Sequence, residues 1–365
     1  MRFLLSGYYG FDNLGDEALL EVIIAQIRTR HPFAEIDVLS EQPEVTAHRF
    51  RVDATPRMDM GRVREAIARA DVVLSGGGGL LQNATSLKSL MYYAGIIRAA
   101  VRAKRRTMIF GQSIGPLDFF GRTIVREWCR GVSAATVRDG RSQKLLSSLL
   151  PHIPVEQTAD PVFLYDAPVE DANLTLEGLG EGSDPLIVVC VRKAANFVDG
   201  AVVVARAVDR LSEQHNAQVA FLPLGGVDDA EVSTIIIRKC KSHPVLLPEC
   251  TLARAATIIA RSHAVIGMRL HALILAARYG VPFLAIPYDP KVAALCEDLA
   301  YPLAPLWTPE QRGKPPEKET DMLCDQLVSQ RRSLSKHLQS QAERLTSLAR
   351  RNFDVLDELC AVQSR

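Results

Sequence analysis

Short apolar runs recur at intervals through the first 165 residues of the chain. Each run is followed by small or glycine-rich residues and then by a stretch with the 3.6-residue periodicity of a helix. The runs cover residues 2–6, 36–39, 71–75, 107–110 and 134–137. They are apolar without alternation, as expected of parallel strands covered on both faces of a sheet. The pattern therefore predicts an α/β domain with a doubly wound sheet over residues 1–165.

A second set of apolar runs follows a stretch of different composition. Residues 166–185 are rich in Asp, Glu, Gly and Pro and have little periodicity, which predicts a linker. The later runs cover residues 186–191, 218–222, 264–267 and 282–287, with helical patterns such as 200–214 between them. We therefore predict a second Rossmann-like domain over residues 186–319. Because ligands of such sheets bind beyond the carboxyl ends of the strands, we expect the two domains to face a central cleft.

The C-terminal tail, residues 320–365, has leucines at helical spacing. They are Leu323, Leu327, Leu334, Leu338, Leu345 and Leu348. An amphipathic helix of this kind packs its apolar side against the body of the protein or against a lipid surface. The general behaviour of such helices favours packing against the body.

Composition and charge exclude several classes of protein. The 365 residues are 47% hydrophobic and 23% charged, and 43 Lys and Arg against 42 Asp and Glu leave a formal charge of +1. This is typical of a globular protein without a global field for nucleic acid, so we expect no nucleic-acid partner. No apolar run approaches the roughly 20 residues of a membrane span, and the N-terminus lacks the apolar core of a signal peptide. We therefore expect a cytoplasmic protein.

The 7 cysteines are odd in number and include no C-x-x-C pair. This pattern argues against a disulfide framework and against a zinc knuckle. We expect reduced thiols, no metal and no cofactor.

The first strand leads into a loop with aromatic and acidic side chains, whose glycines do not fit the dinucleotide-binding pattern G-x-G-x-x-G. Carboxylates at a helix start repel a phosphate, whereas carboxylates and tyrosine rings suit the hydroxyls and faces of a sugar. We therefore expect a carbohydrate acceptor at this loop. The residues predicted to bind it are Tyr8, Tyr9, Asp12, Asn13 and Glu17. Asp16 is expected either to cap a helix over 17–29 or to act on an acceptor hydroxyl.

Two further loops at strand ends are rich in glycine. One contains Gly76, Gly77, Gly78 and Gly79, and the next strand leads into residues 111–116, which include Gln112. Consecutive glycines let a ligand approach the main chain, whose N–H groups can bind an anion or a hydroxyl. Each loop alone could be a tight turn, but their positions at adjacent strand ends favour a binding role.

Basic residues also follow strands. Arg138 follows the strand 134–137, and its planar guanidinium either reaches a phosphate or carboxylate or pairs with a neighbour. Arg269 and His271 follow the strand 264–267. Because residues i and i+2 of an extended backbone point the same way, they are expected to present a cation and a titratable imidazole to one ligand. Lys291 follows the next strand and adds a second cation.

Taken together, these motifs resemble the polysaccharide pyruvyl transferases, and the closest resemblance is to the CsaB type. The resemblance extends from about residue 3 to residue 292. Its motifs are Ser6-Gly7-Tyr8-Tyr9-Gly10 with Asn13, Gly15-Asp16-Glu17, the glycines 76–79, the sequence 111–116, Arg138-Asp139, Arg269-Leu270-His271 and Tyr288-Asp289-Pro290-Lys291. Ser113 stands where the resemblance leads us to expect glycine.

The resemblance implies two Rossmann-like domains in the GT-B arrangement. It implies transfer of the carboxyvinyl carbons of phosphoenolpyruvate to a sugar, which becomes a cyclic pyruvate ketal. For the CsaB type the implied acceptor is N-acetylmannosamine in a lipid-linked amino-sugar disaccharide, the precursor of a secondary cell-wall polymer that anchors S-layer proteins. A lipid-linked acceptor implies peripheral contact with the inner face of the cytoplasmic membrane.

The resemblance also implies roles for individual residues. Arg269 would hold phosphoenolpyruvate, His271 would act as acid or base, and Lys291 and Arg138 would complete the anion site.

Two other functions fit parts of the sequence. A GT-B glycosyltransferase or sugar-nucleotide epimerase would share the fold, since fold does not determine function. It would need a site in the second domain that binds base and ribose. The sequence shows no clear acidic motif for ribose there, although Glu249 and Asp228 could serve. A non-catalytic carbohydrate-binding homologue would tolerate the loss of His271, and the presence of Arg269, His271 and Lys291 together argues against it.

Overall fold

A computed structural model gives the fold of the chain. It describes residues 1–84, 86–166, 184–194, 197–309 and 317–361. Residues 167–183, the greater part of the predicted linker, lie outside the described residues. The chain folds into two compact units, one formed by Met1–Tyr165 and Leu345–Arg365 and the other by Asp166–Arg344.

The first unit contains a parallel sheet with the strand order β3-β2-β1-β4-β5-β6-β7. Its strands are β1 (Arg2–Ser6), β2 (Glu35–Ser40), β3 (Asp53–Pro56), β4 (Val72–Gly76), β5 (Arg106–Gln112), β6 (Ala134–Val137) and β7 (Val155–Gln157). Its helices are α1 (Leu14–Arg30), α2 (Pro43–Phe50), α3 (Met60–Arg69), α4 (Leu87–Arg102), α5 (Phe119–Trp128) and α6 (Gly140–Leu149), with a 3-10 turn at Pro161–Leu164.

Most of these helices begin at a side chain that accepts a hydrogen bond from the first turn of the backbone. The capping residues are Asn13, Asp59, Ser86, Asp118 and Asp139. Such caps satisfy N–H groups that have no partner inside the helix. They determine where the chain turns from strand to helix, at the edge of the sheet where the predicted site residues lie.

The second unit contains a smaller parallel sheet with the order β10-β9-β8-β11-β12. Its strands are β8 (Leu186–Cys190), β9 (Gln218–Phe221), β10 (Val245–Leu246), β11 (Ala264–Gly267) and β12 (Phe283–Ala285). Its helices are α7 (Val198–His215), α8 (Val227–Ile237), α9 (Leu252–Arg261), α10 (Leu270–Arg278), α11 (Pro290–Asp298) and α12 (Glu317–Ser329). The long helix α13 (Arg331–Ala361) contributes its residues up to Arg344 to this unit and the later ones to the first.

The predicted fold class, two Rossmann-like units and a helical tail, is confirmed. The apolar runs correspond to strands β1, β2, β4, β5 and β6 of the first sheet and β8, β9, β11 and β12 of the second. Strands β3, β7 and β10 were not predicted, because they are two to four residues long and none is fully buried. The central cleft and the domain boundaries stay predictions.

The tail leucines are mostly buried. Leu327, Leu334, Leu338 and Leu345 are each at most 3% exposed. Leu334 belongs to the apolar core of the second unit, and Phe353 packs edge to face on Phe110 in the first. The apolar side of the tail therefore packs within the protein. Among the described residues, no helix has the length and apolarity to cross a membrane.

Each sheet has one point where the strand order reverses. In the first unit the chain moves outward from β1 to β3 and then returns to place β4 on the other side of β1. In the second unit β8 and β11 lie on either side of the corresponding point. Loops that leave the carboxyl ends of two such strands splay apart, which makes a crevice where ligands of doubly wound sheets bind.

Candidate functional site

The loop between β1 and α1 leaves the carboxyl end of β1 at the reversal point of the first sheet. Asn13 is the N-cap of α1, and its side chain accepts a hydrogen bond from Gly15 N at 3.2 Å. Helix α1 therefore begins at Leu14, three residues earlier than predicted. This corrects one of the two roles considered for Asp16, which lies in the first turn and does not cap the helix.

Glu17 is held inside the protein at 6% exposure. Its Oε1 accepts a hydrogen bond from Gly10 N at 2.8 Å, and its Oε2 lies 3.6 Å from Arg49 Nη1. Burial raises the pKa of the Glu17 carboxyl, and the charges of Asp16 and Asp12 act in the same direction. These contacts give Glu17 a role in holding the loop against the helix.

Asp12 and Asp16 are more accessible than Glu17. Asp12 has a left-handed backbone with φ +56°, and its Oδ2 accepts a hydrogen bond from Gln42 Nε2 at 3.1 Å. Asp16 Oδ1 lies against the glycine loop, because a Cβ added to Gly78 would be 3.0 Å from it. The structure thus brings the acidic loop and the glycine loop together at the reversal point.

Tyr9 is 1% exposed, and its hydroxyl donates a hydrogen bond to Gly76 O at 2.7 Å. Burial, followed by the nearby Asp16 and Glu17, raises the pKa of this phenol well above its ordinary value. This placement does not support contact between Tyr9 and an acceptor. Tyr9 therefore has a structural role, in which its hydroxyl links the loop after β1 to the end of β4.

We expect Tyr9→Phe to lower the free energy of unfolding by about 1 kcal/mol, because the buried hydrogen bond to Gly76 O is lost. Chemical denaturation measures this change, with Tyr8→Phe as the control. Tyr8 is 40% exposed, so the Tyr8→Phe variant should have the same free energy of unfolding as the wild type. An unchanged free energy of unfolding in Tyr9→Phe would contradict this structural role of Tyr9.

Tyr8 lies at the outer end of a stack of rings that the sequence did not reveal. Its ring stacks on Phe11 with centroids 4.0 Å apart and an interplanar angle of 7°. Arg57 Cζ lies 5.0 Å from the Phe11 centroid and 4.3 Å from that of Tyr92, and Arg57 Nη1 lies 3.2 Å from Glu41 Oε2. Arg57 follows the unpredicted strand β3, and for that reason sequence reasoning missed it.

In the glycine loop after β4 the backbone lies close to neighbouring elements, mainly α1. Gly77 and Gly78 have φ values of +72° and +71°, which side chains rarely adopt. A Cβ on Gly77 would also lie 2.9 Å from Leu19 of α1. Gly79 has more space, since the nearest atom to a Cβ there is Ser113 O at 4.0 Å. Gly77 and Gly78 therefore serve the turn, and Gly79 is the member with room beside its backbone.

Gln112 is completely buried at the end of β5. Its Nε2 donates hydrogen bonds to Ser75 O at 2.6 Å and Ser75 Oγ at 2.8 Å. These bonds tie the ends of β5 and β4 together. Gln112 therefore positions the glycine loop.

Arg138 is 7% exposed and already has partners on two sides. Its Nε donates a hydrogen bond to Ser113 Oγ at 2.7 Å, and its Nη1 pairs with Asp160. Ser113 Oγ also donates to Asp139 Oδ2 at 2.9 Å, so the residue found in place of the expected glycine joins the two charged groups. Of the two roles considered for Arg138, pairing with a neighbour is present in the structure.

In the second unit, Arg269 is the N-cap of α10 and its guanidinium faces Asp229. Its Nε donates to Asp229 Oδ2 at 2.8 Å and its Nη2 to Asp229 Oδ1, which makes a two-pronged ion pair. Asp229 is completely buried and also accepts a hydrogen bond from Leu224 N at 3.3 Å. A Cβ on Gly225 would lie 1.8 Å from Arg269 Nη2, so glycine at this position leaves space for the guanidinium where it stands. Sequence reasoning missed Asp229, which is 40 residues from its partner.

His271 lies in the first turn of α10, which begins at Leu270. The expectation that Arg269 and His271 share an extended backbone is therefore wrong. Residues i and i+2 at the start of a helix do not face the same way, so the two side chains point in different directions. They still leave the carboxyl end of β11, beside the reversal point.

Lys291 lies in the first turn of α11, beyond β12. Its backbone N–H donates to Asp289 Oδ1 at 3.0 Å, and its Nζ lies 3.4 Å from Asp289 Oδ2. The preceding Tyr288 accepts a hydrogen bond from Arg192 Nη1 at 2.8 Å. The second sheet thus collects three basic side chains at one edge, together with the imidazole of His271. Among the described residues, no cluster of His, Cys, Asp and Glu has the arrangement of a metal site.

Comparisons with known proteins identify the family and the fold. Residues 13–290 match the family described as polysaccharide pyruvyl transferase. Among solved structures, Anabaena Alr3699/HepE in complex with UDP-glucose is 11% identical, with 98% of this chain and 100% of that chain covered at a TM-score of 0.66. The UDP-GlcNAc 2-epimerase from Neisseria meningitidis, bound to UDP-GlcNAc, is 11% identical over 98% of this chain and 100% of its own, with a TM-score of 0.63. A glycosyltransferase from Rickettsia africae is 9% identical over 99% of both chains, with a TM-score of 0.62. At these identities the structural likeness shows the fold alone.

Proposed function

Because this chain belongs to the polysaccharide pyruvyl transferase family, we propose that it transfers the pyruvyl carbons of phosphoenolpyruvate to a sugar as a cyclic ketal. The observation that carries the proposal is that a guanidinium, that of Arg269, and an imidazole, that of His271, both leave the start of α10, beyond the carboxyl end of β11. A fixed cation there can bind an anionic donor beside a group able to give or take a proton.

The reaction needs no redox change. One sugar hydroxyl adds to the central carbon of phosphoenolpyruvate, while the methylene carbon gains a proton and becomes a methyl group. A second hydroxyl of the same sugar then displaces phosphate from that carbon, and its proton leaves with phosphate or with a base. Both hydroxyl protons are thus accounted for, and inorganic phosphate is the second product.

We assign the donor to the second unit. Arg269 and Lys291 would bind the phosphate and carboxylate of phosphoenolpyruvate, and His271 would deliver or remove the proton. Arg138 belongs to the first unit, and since its Nε and Nη1 are engaged by Ser113 and Asp160, it would bind an anion only through its other N–H groups.

We assign the sugar acceptor to the first unit. Asp16 would orient or deprotonate an acceptor hydroxyl, and Asp12 and the backbone beside Gly79 would bind others. The exposed ring of Tyr8, supported by Phe11, would lie against a sugar face. The acceptor that fits the CsaB resemblance is N-acetylmannosamine in a lipid-linked disaccharide, for a secondary cell-wall polymer that anchors S-layer proteins.

We expect Tyr8→Ala to raise the KM for the acceptor about tenfold, because an aromatic stacking face contributes about 1 to 1.5 kcal/mol. Tyr8→Phe keeps the ring and should keep the wild-type KM. Initial rates at saturating phosphoenolpyruvate measure both values. An unchanged acceptor KM in Tyr8→Ala would remove Tyr8 from the acceptor site.

A lipid-linked acceptor would place the enzyme at the inner face of the cytoplasmic membrane. The basic stretches 98–106 and 331–336 are candidates for attraction to anionic lipid, at about 1 kcal/mol per charge near the surface. Several of their side chains have partners within the protein. Arg98 Cζ lies 5.0 Å from the Trp128 ring, and Arg106 Nη1 donates to Cys360 O at 3.0 Å.

The test is incubation of the purified protein with phosphoenolpyruvate and a panel of lipid-linked or nitrophenyl-tagged disaccharides. Mass spectrometry should show addition of pyruvate to one sugar, with equimolar release of phosphate that depends on the acceptor. Phosphate release that is independent of every sugar, or no product with any acceptor, would overturn the proposal.

A sugar-nucleotide enzyme is the second candidate, favoured by one observation in the second unit. A Cβ on Gly226, the N-cap of α8, would lie 3.9 Å from Glu249 Oε1, and Asp228 follows two residues later. Glu249 thus lies near the start of α8, the helix whose first turn carries Asp228. Epimerisation or glycosyl transfer from UDP-linked sugars, measured in the same samples, would favour this candidate over pyruvyl transfer.

A further inference from the structure

The three basic residues predicted to bind the donor are all neutralised in part by carboxylates. Arg138 pairs with Asp160, Arg269 pairs with Asp229, and Lys291 Nζ lies 3.4 Å from Asp289. Phosphoenolpyruvate carries a phosphate and a carboxylate, so it brings at least two negative charges to the site. A donor site built from these pairs alone would offer little net positive charge.

Arg192 lies at the reversal point of the second sheet. Cys190, Gly267 and Ala285 form one row across β8, β11 and β12. Arg192 and Arg269 each follow two residues beyond that row, on the two strands where the strand order reverses. Both side chains therefore leave the sheet at the edge where His271 and Lys291 also lie.

The contacts of Arg192 are with neutral groups. Its Nη1 donates to the hydroxyl of Tyr288 at 2.8 Å, its Cζ lies 5.1 Å from the Tyr288 ring centroid, and its Nε lies 3.4 Å from Lys193 O. In the described parts of the chain, no carboxylate lies within ion-pair distance of this guanidinium. Among the described residues, the charge of Arg192 therefore has no carboxylate partner, whereas Arg269 and Lys291 each have one.

Tyr288 holds this charge in a defined place. A guanidinium that is half-buried, placed over a ring and hydrogen-bonded to its hydroxyl has fewer available rotamers than one in open solvent. Less side-chain entropy is then lost when an anion binds. Lys193, the next residue, lacks this support, since its side chain is 65% exposed and pairs with Asp228 at 3.5 Å.

We propose that Arg192 is a further donor-binding residue, which contacts the phosphate or carboxylate of phosphoenolpyruvate, and that Tyr288 is the residue that positions it. This inference rests on the proposed function, because it takes phosphoenolpyruvate as the donor. Arg192 follows β8, whereas Arg269 follows β11 and Lys291 follows β12. With Arg192 included, the proposed donor site has cations on both sides of the reversal point.

The experiment compares initial rates and direct binding in four variants of the full chain. Arg192→Met should raise the KM for phosphoenolpyruvate by about 10- to 100-fold, as expected for loss of a charge-assisted hydrogen bond, and leave the acceptor KM unchanged. Arg192→Lys should recover part of the loss, because the charge remains without the planar fork. Tyr288→Phe should give a smaller increase, since the ring remains and the hydroxyl is removed.

Lys193→Met is the matched control, because it removes the adjacent positive charge from an exposed side chain whose ammonium faces Asp228. Its KM for phosphoenolpyruvate should stay within about twofold of the wild type, since surface ion pairs contribute little. Calorimetric titration with phosphoenolpyruvate and thermal melting separate lost binding from lost folding.

The outcomes distinguish the inference from the proposed function. A wild type that transfers pyruvate, with Arg192→Met at wild-type KM, would overturn the inference alone. Equal losses in Arg192→Met and Lys193→Met would also overturn it, because the effect would then be one of general charge. A wild type that neither binds nor consumes phosphoenolpyruvate would overturn both.

Discussion

We expect His271→Gln to lower the rate of pyruvyl transfer by about 10² to 10⁴, the range for removal of a general acid or base. Binding of phosphoenolpyruvate should persist, because the cations proposed to hold it, Arg269, Lys291 and Arg192, remain. Gln keeps similar volume and a hydrogen-bonding group but cannot exchange a proton near neutral pH. Steady-state rates give kcat, and calorimetric titration gives the donor affinity.

His263→Gln is the matched control for this variant. His263 lies at the opposite edge of the same sheet, before β11, where its Nδ1 accepts a hydrogen bond from Leu186 N at 3.2 Å. Its loss should lower the melting temperature and leave the rate per folded molecule unchanged. A His271→Gln variant with wild-type kcat would refute the proton-transfer role. If the rate falls only in proportion to the amount of folded protein, the role of His271 is structural.

The second large effect is expected at Arg269. Arg269→Ala should lower the free energy of unfolding by about 3 to 5 kcal/mol, because it leaves the buried carboxylate of Asp229 without its partner. It should also weaken binding of phosphoenolpyruvate. Arg269→Lys should recover part of the stability, since an ammonium can face Asp229. It should not recover donor affinity, because an ammonium cannot reproduce the fork.

Gly225→Ala separates the position of the guanidinium from its charge. The new Cβ would lie 1.8 Å from Arg269 Nη2, so the guanidinium must move while every charge remains. We expect lower affinity for phosphoenolpyruvate in this variant too. Donor affinity equal to that of the wild type in both Arg269→Lys and Gly225→Ala would remove Arg269 from the donor site.

Sequence reasoning located the candidate residues better than it described their surroundings. It placed Tyr8, Gly79, Arg269, His271 and Lys291 at strand ends, and the structure puts them there. It treated Tyr9 as a ligand-binding residue, whereas the structure buries its ring. Exposure depends on what packs over a residue, and for Tyr9 those elements are distant in the sequence.

For the charged residues too, the sequence predicted their positions but not their partners. A periodic pattern reports which face of an element is apolar, because burial repeats with the geometry of the strand or helix. It does not report that Arg269 meets Asp229 or that Arg57 stacks on Phe11, since these contacts join elements 40 or more residues apart. The unpredicted strand β3 has the same cause, as its four residues are ordered by pairing with β2.

The amino-acid sequence by itself determined the two Rossmann-like units, the strands at their centres and the loops that carry the candidate residues. These follow from local physics: apolar runs form buried strands, and Asx and Ser side chains cap the helices that follow them. Only the tertiary structure decided that Arg269 and Lys291 face carboxylates, whereas Arg192, among the residues that the structure describes, faces a tyrosine. Arg192 lies at the reversal point, where β8 and β11 pair although they are more than 70 residues apart in sequence, so no local pattern could identify its neighbours.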